Sequence, residues 1–187
     1  MVLRELGLTH DIERVDIKAH VTADGADFYA INPKGYVPAL LLDDGQLLTE
    51  GPAILQYLAD LKPEAGLLPP AGTVERARVQ EWLTFIGTEL HKNFSALFDP
   101  QASNDWKAAA KAKIGSRFAF VDKALTGRDY LTGGDFCVAD AYLFAVVNWA
   151  GFLRMDLSDL AALAAFHKRV GARPAVVAAM TAEGLLK

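Results

Sequence analysis

The sequence predicts an α/β N-terminal part followed by an all-α helical bundle. Short apolar runs separated by turn residues fill the chain before residue 51, as in short strands. From Gly51 and Pro52 onward, the spacing of apolar residues becomes helical. A segment rich in proline and glycine, residues 62–72, separates the two patterns. We therefore predict one domain at 1–62 and an all-helical domain at 73–187.

The composition excludes several classes of protein. The 187 residues are 52% hydrophobic with a formal net charge of -4, which suits a globular fold with a sizeable core and gives no reason to expect a nucleic-acid partner. Cys137 is the one cysteine, so no intrachain disulfide or zinc cluster is expected, and we predict no metal. We expect no leader peptide, no membrane span and a cytoplasmic location.

The elements of the first part follow in order. Approximate alternation over residues 12–17 predicts a short, half-exposed strand. Residues 24–31 are predicted as a short helix that ends at the turn 32–35. Two apolar runs, 39–42 and 46–48, flank two aspartates and a glycine and predict a β-hairpin.

Five helices are predicted after the boundary. Thr73 caps a long first helix with apolar residues at spacings of three to five. The second begins near Asp105 and the third at Val138, and the fourth spans 160–170. Pro174 opens the fifth. Together they predict a helical bundle.

Two segments of the first part carry candidate binding groups. If the Val37-Pro38 bond is cis, the Val37 main chain can pair with an extended peptide, but this proline may simply enter a strand. Glu50 and Gly51 join the hairpin to a helix. The free N-H groups at the helix start could bind a carboxylate and Glu50 an ammonium group, although Glu50 could equally be a solvated turn residue.

Five segments carry a resemblance to a known family: LRELGL, DGADFYAINPKGYVPALLLDDGQLLTEGPAILQYLAD, EWLTFIGTELHKNFSALF, VADAYLF and ARPAV. In order, they resemble a bacterial beta-class glutathione S-transferase. The resemblance implies a thioredoxin-like domain that binds glutathione and a helical domain that supplies a hydrophobic pocket. It implies a homodimer that conjugates glutathione, a co-substrate rather than a cofactor, to hydrophobic electrophiles.

The resemblance also implies site residues. Pro38 would be cis, Val37 would pair with the cysteinyl main chain, and Glu50 and Gly51 would hold the γ-glutamyl end. Further glutathione contacts fall on positions of the early strand and the long helix: His20, where the family usually has lysine, Thr84, where it usually has asparagine, Thr88, Glu89 and Leu90.

Two residues allow both a structural and a chemical interpretation. His91 could be a satisfied structural histidine, or it could donate a hydrogen bond that favours thiolate, as a catalytic residue. Cys137 stands at the position of the family's helix cap and is a poor substitute, so we expect Asp140 to carry more of the capping. A thiol at a helix start could also be reactive.

The family's first strand and its catalytic turn, about fifteen residues, have no match in this sequence. Met1 may be an internal methionine taken for the start, the segment may be missing from the chain as given, or another chain may complete the sheet. The first hypothesis remains a transferase. The alternative is a non-catalytic module of the same fold that binds a small ligand or a partner protein. A nucleic-acid module ranks third, since no basic stripe with interleaved aromatics occurs.

Overall fold

The computed structural model describes residues 1–186. Its N-terminal half is α/β and holds four short strands and three α-helices. In chain order these are α1 (Val2–Glu5), β1 (Val15–Asp16), β2 (Val21–Thr22), α2 (Phe28–Ile31), β3 (Ala39–Leu41), β4 (Leu47–Thr49) and α3 (Gly51–Asp60). A 3₁₀ turn at Pro63–Ala65 follows α3.

The strands form two separate antiparallel pairs. In one, Leu40 lies opposite Leu48, which confirms the predicted hairpin. In the other, Val15 lies opposite Thr22, so the predicted strand at 12–17 is shorter than expected and has a partner, β2, that the sequence did not indicate. Within residues 1–186 no ladder joins the two pairs.

The two helices of this half that flank the hairpin begin at recognisable residues. The predicted helix at 24–31 starts only at Phe28, because the Asp27 side chain accepts from the Tyr29 N-H and caps it there. Helix α3 starts at Gly51 with proline in its first turn, as predicted.

The C-terminal half is helical, as the apolar spacing predicts. Its elements are α4 (Val74–Phe85), a π-helical turn (Ile86–His91), α5 (Lys92–Phe98), α6 (Asn104–Leu125), α7 (Val138–Phe152), α8 (Ala161–Gly171) and α9 (Pro174–Ala182). Thr73 caps α4 by accepting from the Arg76 N-H at 3.1 Å, as expected. The predicted long first helix is therefore α4 and α5 joined through the π-helical turn, which the sequence pattern did not reveal.

The start of α7 is held by a buried carboxylate. Asp140 Oδ2 accepts from the Cys137 N-H and Oδ1 from the Leu131 N-H, both at 2.9 Å. The expectation that Asp140 carries the cap is confirmed. The reactive-thiol interpretation of Cys137 is wrong, because burial, and then the nearby Asp140 charge, raise the pKa of this thiol to about 12.

Two arginine-carboxylate pairs tie the halves together. Arg76 of α4 makes a bidentate contact with Asp60 at the end of α3, with both N···O distances 2.8 Å. Arg173 at the start of α9 contacts Glu5 of α1 at 2.6 and 3.0 Å. Of the helices described, none has the length and apolar character needed to cross a bilayer.

Candidate active site

The turn before β3 offers an unpaired main chain. The Val37-Pro38 bond is cis, so this part of the sequence prediction is confirmed. Within residues 1–186 neither the N-H nor the C=O of Val37 makes a hydrogen bond, and 48% of the residue is exposed. The turn is held from inside by buried Asn32, whose Nδ2 donates to the Tyr36 carbonyl at 2.7 Å. An extended peptide can therefore pair with Val37 as an added strand.

Glu50 and Gly51 form the second corner of the site. Glu50 precedes α3 with a φ of 70°, a left-handed conformation that is uncommon outside glycine and that concentrates at ligand clamps. The Gly51 N-H has no hydrogen-bond acceptor in the described part of the chain. An ionisable carboxylate thus lies beside a free N-H at the positive end of a helix.

Lys34 holds the Glu50 carboxylate in place. Its Nζ donates to Glu50 Oε1 at 2.7 Å and to Thr49 Oγ1 at 3.0 Å. The Lys34 hydrogen bond and charge lower the pKa of Glu50, with smaller contributions from His91 and Lys92, so Glu50 is ionised at neutral pH. This role of Lys34 is not visible in the sequence, because a lysine in a turn gives no sign of the carboxylate it contacts sixteen residues later.

His91 lies at the end of the π-helical turn, where helices α5 and α7 meet. Its Nδ1 is 2.6 Å from the Tyr142 hydroxyl, and its ring stands edge-on to Trp149 with 4.6 Å between centroids. Burial, and then the Lys92 charge, lower the pKa of His91, while Glu50 acts in the opposite direction. The imidazole therefore lies between the π-helical turn and the aromatic side chains of α7.

Sequence reasoning did not assign site roles to Tyr142 and Trp149. Both fit the core stripe of a helix, and no local signal indicates a contact with a histidine some fifty residues away. Phe98 is exposed and stands 5.7 Å from Trp149 between ring centroids, and Phe94 is 5.6 Å from the same ring. An aromatic wall therefore adjoins His91, and two of its rings lie on the predicted long helix.

His20 contacts Tyr29 of α2. Its Nε2 is 3.0 Å from the Tyr29 hydroxyl, and the two rings stack with 4.3 Å between centroids. Gly35 packs beneath them with a φ of 67°, and a Cβ there would lie 2.7 Å from the Tyr29 ring. His20 Nδ1 is buried and has no partner among residues 1–186. The glutathione contact of His20 stays a prediction.

The remaining predicted contacts lie on one stretch of helix. The Thr84 and Thr88 hydroxyls are exposed and donate to the carbonyls of Gln80 and Thr84, at 2.8 and 3.0 Å. The Glu89 carboxylate contacts Arg117 and Lys113 of α6 at 2.7 and 3.0 Å. Leu90 is fully buried. The side chains of Glu89 and Leu90 are therefore engaged within the helical half, and the glutathione contacts of these four residues stay predictions.

A thioredoxin-like α/β half that presents a cis-proline turn, followed by a helical half that closes on it, defines the class of two-domain transferases. Family models for the glutathione S-transferase N-terminal and C-terminal domains match residues 1–61 and 82–174. The chain belongs to the glutathione S-transferase family, as the sequence resemblance indicated.

Proteins similar to this chain include bacterial glutathione S-transferases. The chain is 44% identical to glutathione S-transferase GstA of Escherichia coli O157:H7, over 99% of this chain and 92% of that protein. A sphingomonad glutathione S-transferase solved with glutathione shares 44% identity at a TM-score of 0.94. The bacterial beta-class enzyme of Sphingomonas chungbukensis shares 43% at 0.96. Both structures match 99% of this chain and 92% of their own.

Proposed function

We propose that this chain conjugates glutathione to hydrophobic electrophiles, with residues 1–62 binding the peptide and residues 73–187 supplying the apolar wall. The observation that carries this proposal is the presence of three unengaged or ionised groups in one chain of this family: the free Val37 main chain, the ionised Glu50 beside the free Gly51 N-H, and His91, whose Nε2 has no partner within residues 1–186. The Val37 main chain suits an extended peptide, and the Glu50 corner suits an amino-acid zwitterion. The His91 imidazole suits a thiol.

The peptide binds through its cysteinyl middle and its γ-glutamyl end. The cysteinyl main chain pairs with Val37, which follows the Asn32-supported turn. The γ-glutamyl ammonium contacts Glu50, and its carboxylate accepts from the Gly51 N-H at the start of α3. His20, Thr84 and Thr88 remain predicted contacts. Glu89 and Leu90 would contribute through their main chain, because their side chains are engaged elsewhere.

The chemistry is attack by a thiolate. The thiol loses its proton to solvent, and its sulfur forms a bond to the electrophilic carbon. A free thiol has a pKa of about 8.5 and is only about 3% ionised at pH 7. A hydrogen bond from His91 to the charged sulfur, worth about 1.5–3 kcal/mol, lowers that pKa by about 1–2 units. Because nucleophilicity falls with the pKa, the rate gain is only a few-fold.

The test of the binding site is Glu50→Gln, which removes the negative charge and keeps the shape. We expect glutathione to bind about tenfold more weakly, because a charge-assisted contact to its ammonium becomes a neutral one. Isothermal titration calorimetry with glutathione measures the effect. Glu64→Gln is the matched control, since this exposed glutamate of the 3₁₀ turn makes no hydrogen bond within residues 1–186. Equal affinity of the Glu50 variant and the parent would remove Glu50 from the site.

The second candidate is a non-catalytic binding module of the same fold. Its support is the separation of the two strand pairs, which leaves sheet edges without a ladder in the described residues. Retention on immobilised glutathione together with no conjugation of a chromogenic electrophile would favour this candidate. Conjugation that depends on both substrates would favour the transferase.

The assembly and location are also proposals. A second copy of the chain is the proposed partner, and the helical half has an aromatic cluster suited to such a contact. Trp82 and Phe85 of α4 lie 6.0 and 5.2 Å from Phe120 of α6, which is 52% exposed. Sedimentation equilibrium measures the oligomeric state. A cytoplasmic location agrees with a single, unpaired cysteine and is tested by cell fractionation.

A further inference from the structure

The Tyr142 hydroxyl is placed to control the protonation of His91. We propose that Tyr142 is a positioning residue whose hydroxyl donates a hydrogen bond to His91 Nδ1. This bond holds the neutral imidazole in the tautomer that carries its proton on Nε2. This inference deepens the proposed function and rests on it for its role in the reaction. The placement itself is a property of the chain without any ligand.

The hydrogen-bond inventory of the two side chains favours one tautomer. The Tyr142 oxygen and His91 Nδ1 are 2.6 Å apart, and within residues 1–186 this is the one hydrogen bond that the hydroxyl makes. A neutral imidazole has one donor and one acceptor nitrogen. If Nδ1 carried the imidazole proton, the half-buried Tyr142 hydroxyl would accept a hydrogen bond from it. The hydroxyl proton of Tyr142 would then have no acceptor in the described chain. Donation by Tyr142 satisfies both groups and places the imidazole proton on Nε2.

The packing around the ring fixes which nitrogen is engaged. The Trp149 ring contacts His91 at an interplanar angle of 88°, and the Tyr142 ring lies at 60° to it. The π-helical turn brings His91 to this position. Gly87 of the same turn lies beside the Tyr142 hydroxyl, and a Cβ there would be in ordinary contact with it at 3.7 Å. His91 Nε2 has no partner within residues 1–186 and is free to contact a ligand.

The charged groups that face the pair are compatible with two neutral side chains at neutral pH. Burial lowers the pKa of His91, with Lys92 acting in the same direction and Glu50 opposing it. Burial, and then the Glu50 charge, raise the pKa of Tyr142 to about 12. Lys34 holds Glu50 at 2.7 Å and so moderates its effect on both. The Tyr142 hydroxyl is therefore the hydrogen-bond donor of this pair, and His91 Nδ1 is the acceptor.

The tautomer decides what His91 offers a bound thiol. With its proton on Nε2, the imidazole donates a hydrogen bond to the sulfur and stabilises the thiolate. With the proton on Nδ1, the Nε2 lone pair would face the sulfur and repel the thiolate. Tyr142 thus acts through His91: it keeps the Nε2–H group available to the thiol.

The direct test is the protonation of the imidazole nitrogens, read by long-range ¹H–¹⁵N NMR on ligand-free protein at a pH where His91 is neutral. His91→Gln assigns the signals. We expect the parent to show Nδ1 unprotonated and Nε2 protonated, and Tyr142→Phe to show both tautomers. Tyr57→Phe is the matched control, since the Tyr57 hydroxyl makes no hydrogen bond in the described chain. A parent with its proton on Nδ1, or an unchanged pattern in Tyr142→Phe, overturns the inference.

Kinetics separate positioning from mere packing. We expect Tyr142→Phe to lower kcat/KM for conjugation about 2- to 3-fold and to shift the acidic limb of its pH profile, with glutathione affinity unchanged. Unaltered kinetics and pH profile in an active enzyme would contradict the role in the reaction. If the parent shows the expected tautomer but conjugates nothing, the placement stands and the proposed function fails, so the two failures are distinguishable.

Discussion

The two halves of the molecule differ in how deeply their apolar side chains are buried. The largest fully buried side chains all lie between Leu83 and Phe166, in the helical half. The N-terminal half leaves Ile12, Ile17 and Leu41 exposed beside strands of two or three residues. Because burial of apolar area drives folding, the helical half supplies most of the stability and the N-terminal half is the less protected region.

The proposed site is divided between the same two halves. The proposed peptide-binding groups, Val37 and Glu50, lie in the exposed half, on a turn and at a helix start. His91 and its partners Tyr142 and Trp149 lie on the packed helices. Packed helices thus orient the group that we propose acts on the thiol, whereas the lightly packed half presents the free main-chain groups proposed to bind the peptide.

The largest expected effect comes from matched leucine truncations in the two halves. Leu143→Ala on α7 should lower the free energy of unfolding by about 3–4 kcal/mol, since the side chain is fully buried and leaves a cavity. Leu48→Ala on β4 removes a partly buried side chain and should cost about 1 kcal/mol. Urea unfolding followed by circular dichroism measures both. Equal losses would contradict the unequal contributions of the halves.

Removal of the buried cap should have the next largest effect. Asp140→Ala leaves the Leu131 and Cys137 N-H groups without their acceptor inside the helical half. We expect a loss of about 2–3 kcal/mol in the same unfolding experiment, with relief of the buried charge offsetting part of the cost. Asp135→Asn, at an exposed position in the same loop, is the control and should leave stability unchanged. A similar loss in both variants would mean that the loop, and not the cap, is responsible.

The sequence predicted what depends on local patterns. Thr73 before an apolar-periodic run marked the start of α4, and the aspartates and glycine between two apolar runs marked the β-hairpin. Asp140 was expected to cap α7 because a capping box lies within four residues. Each of these features is decided by residues that are neighbours in the chain.

What the sequence did not reveal depends on contacts between distant residues. The Tyr142 hydroxyl meets His91 only after α7 packs against the π-helical turn, and Lys34 meets Glu50 only after the hairpin folds back. The π-helical turn was not recognised, because one extra residue in a turn hardly changes the apolar spacing. Strand β2 was missed because two residues are too few for a periodic signal.

The smallest expected effect concerns pH and compares two histidines of the helical half. Burial lowers the pKa of both His91 and His167 in the folded protein, whereas the unfolded value is about 6.5. Below that value the unfolded chain binds more protons, so the free energy of unfolding should fall as pH drops from 6.5 toward the lowered folded pKa. The slope is at most about 1.4 kcal/mol per pH unit for each histidine, and nothing is lost above the window. Urea unfolding between about pH 5 and 8 of the parent, His91→Gln and His167→Gln measures it. Each variant should flatten the curve. Burial raises the pKa of Asp140 in all three proteins, so its contribution cancels in the difference. An unchanged slope in both variants would show that the folded protein accommodates the charged imidazoles.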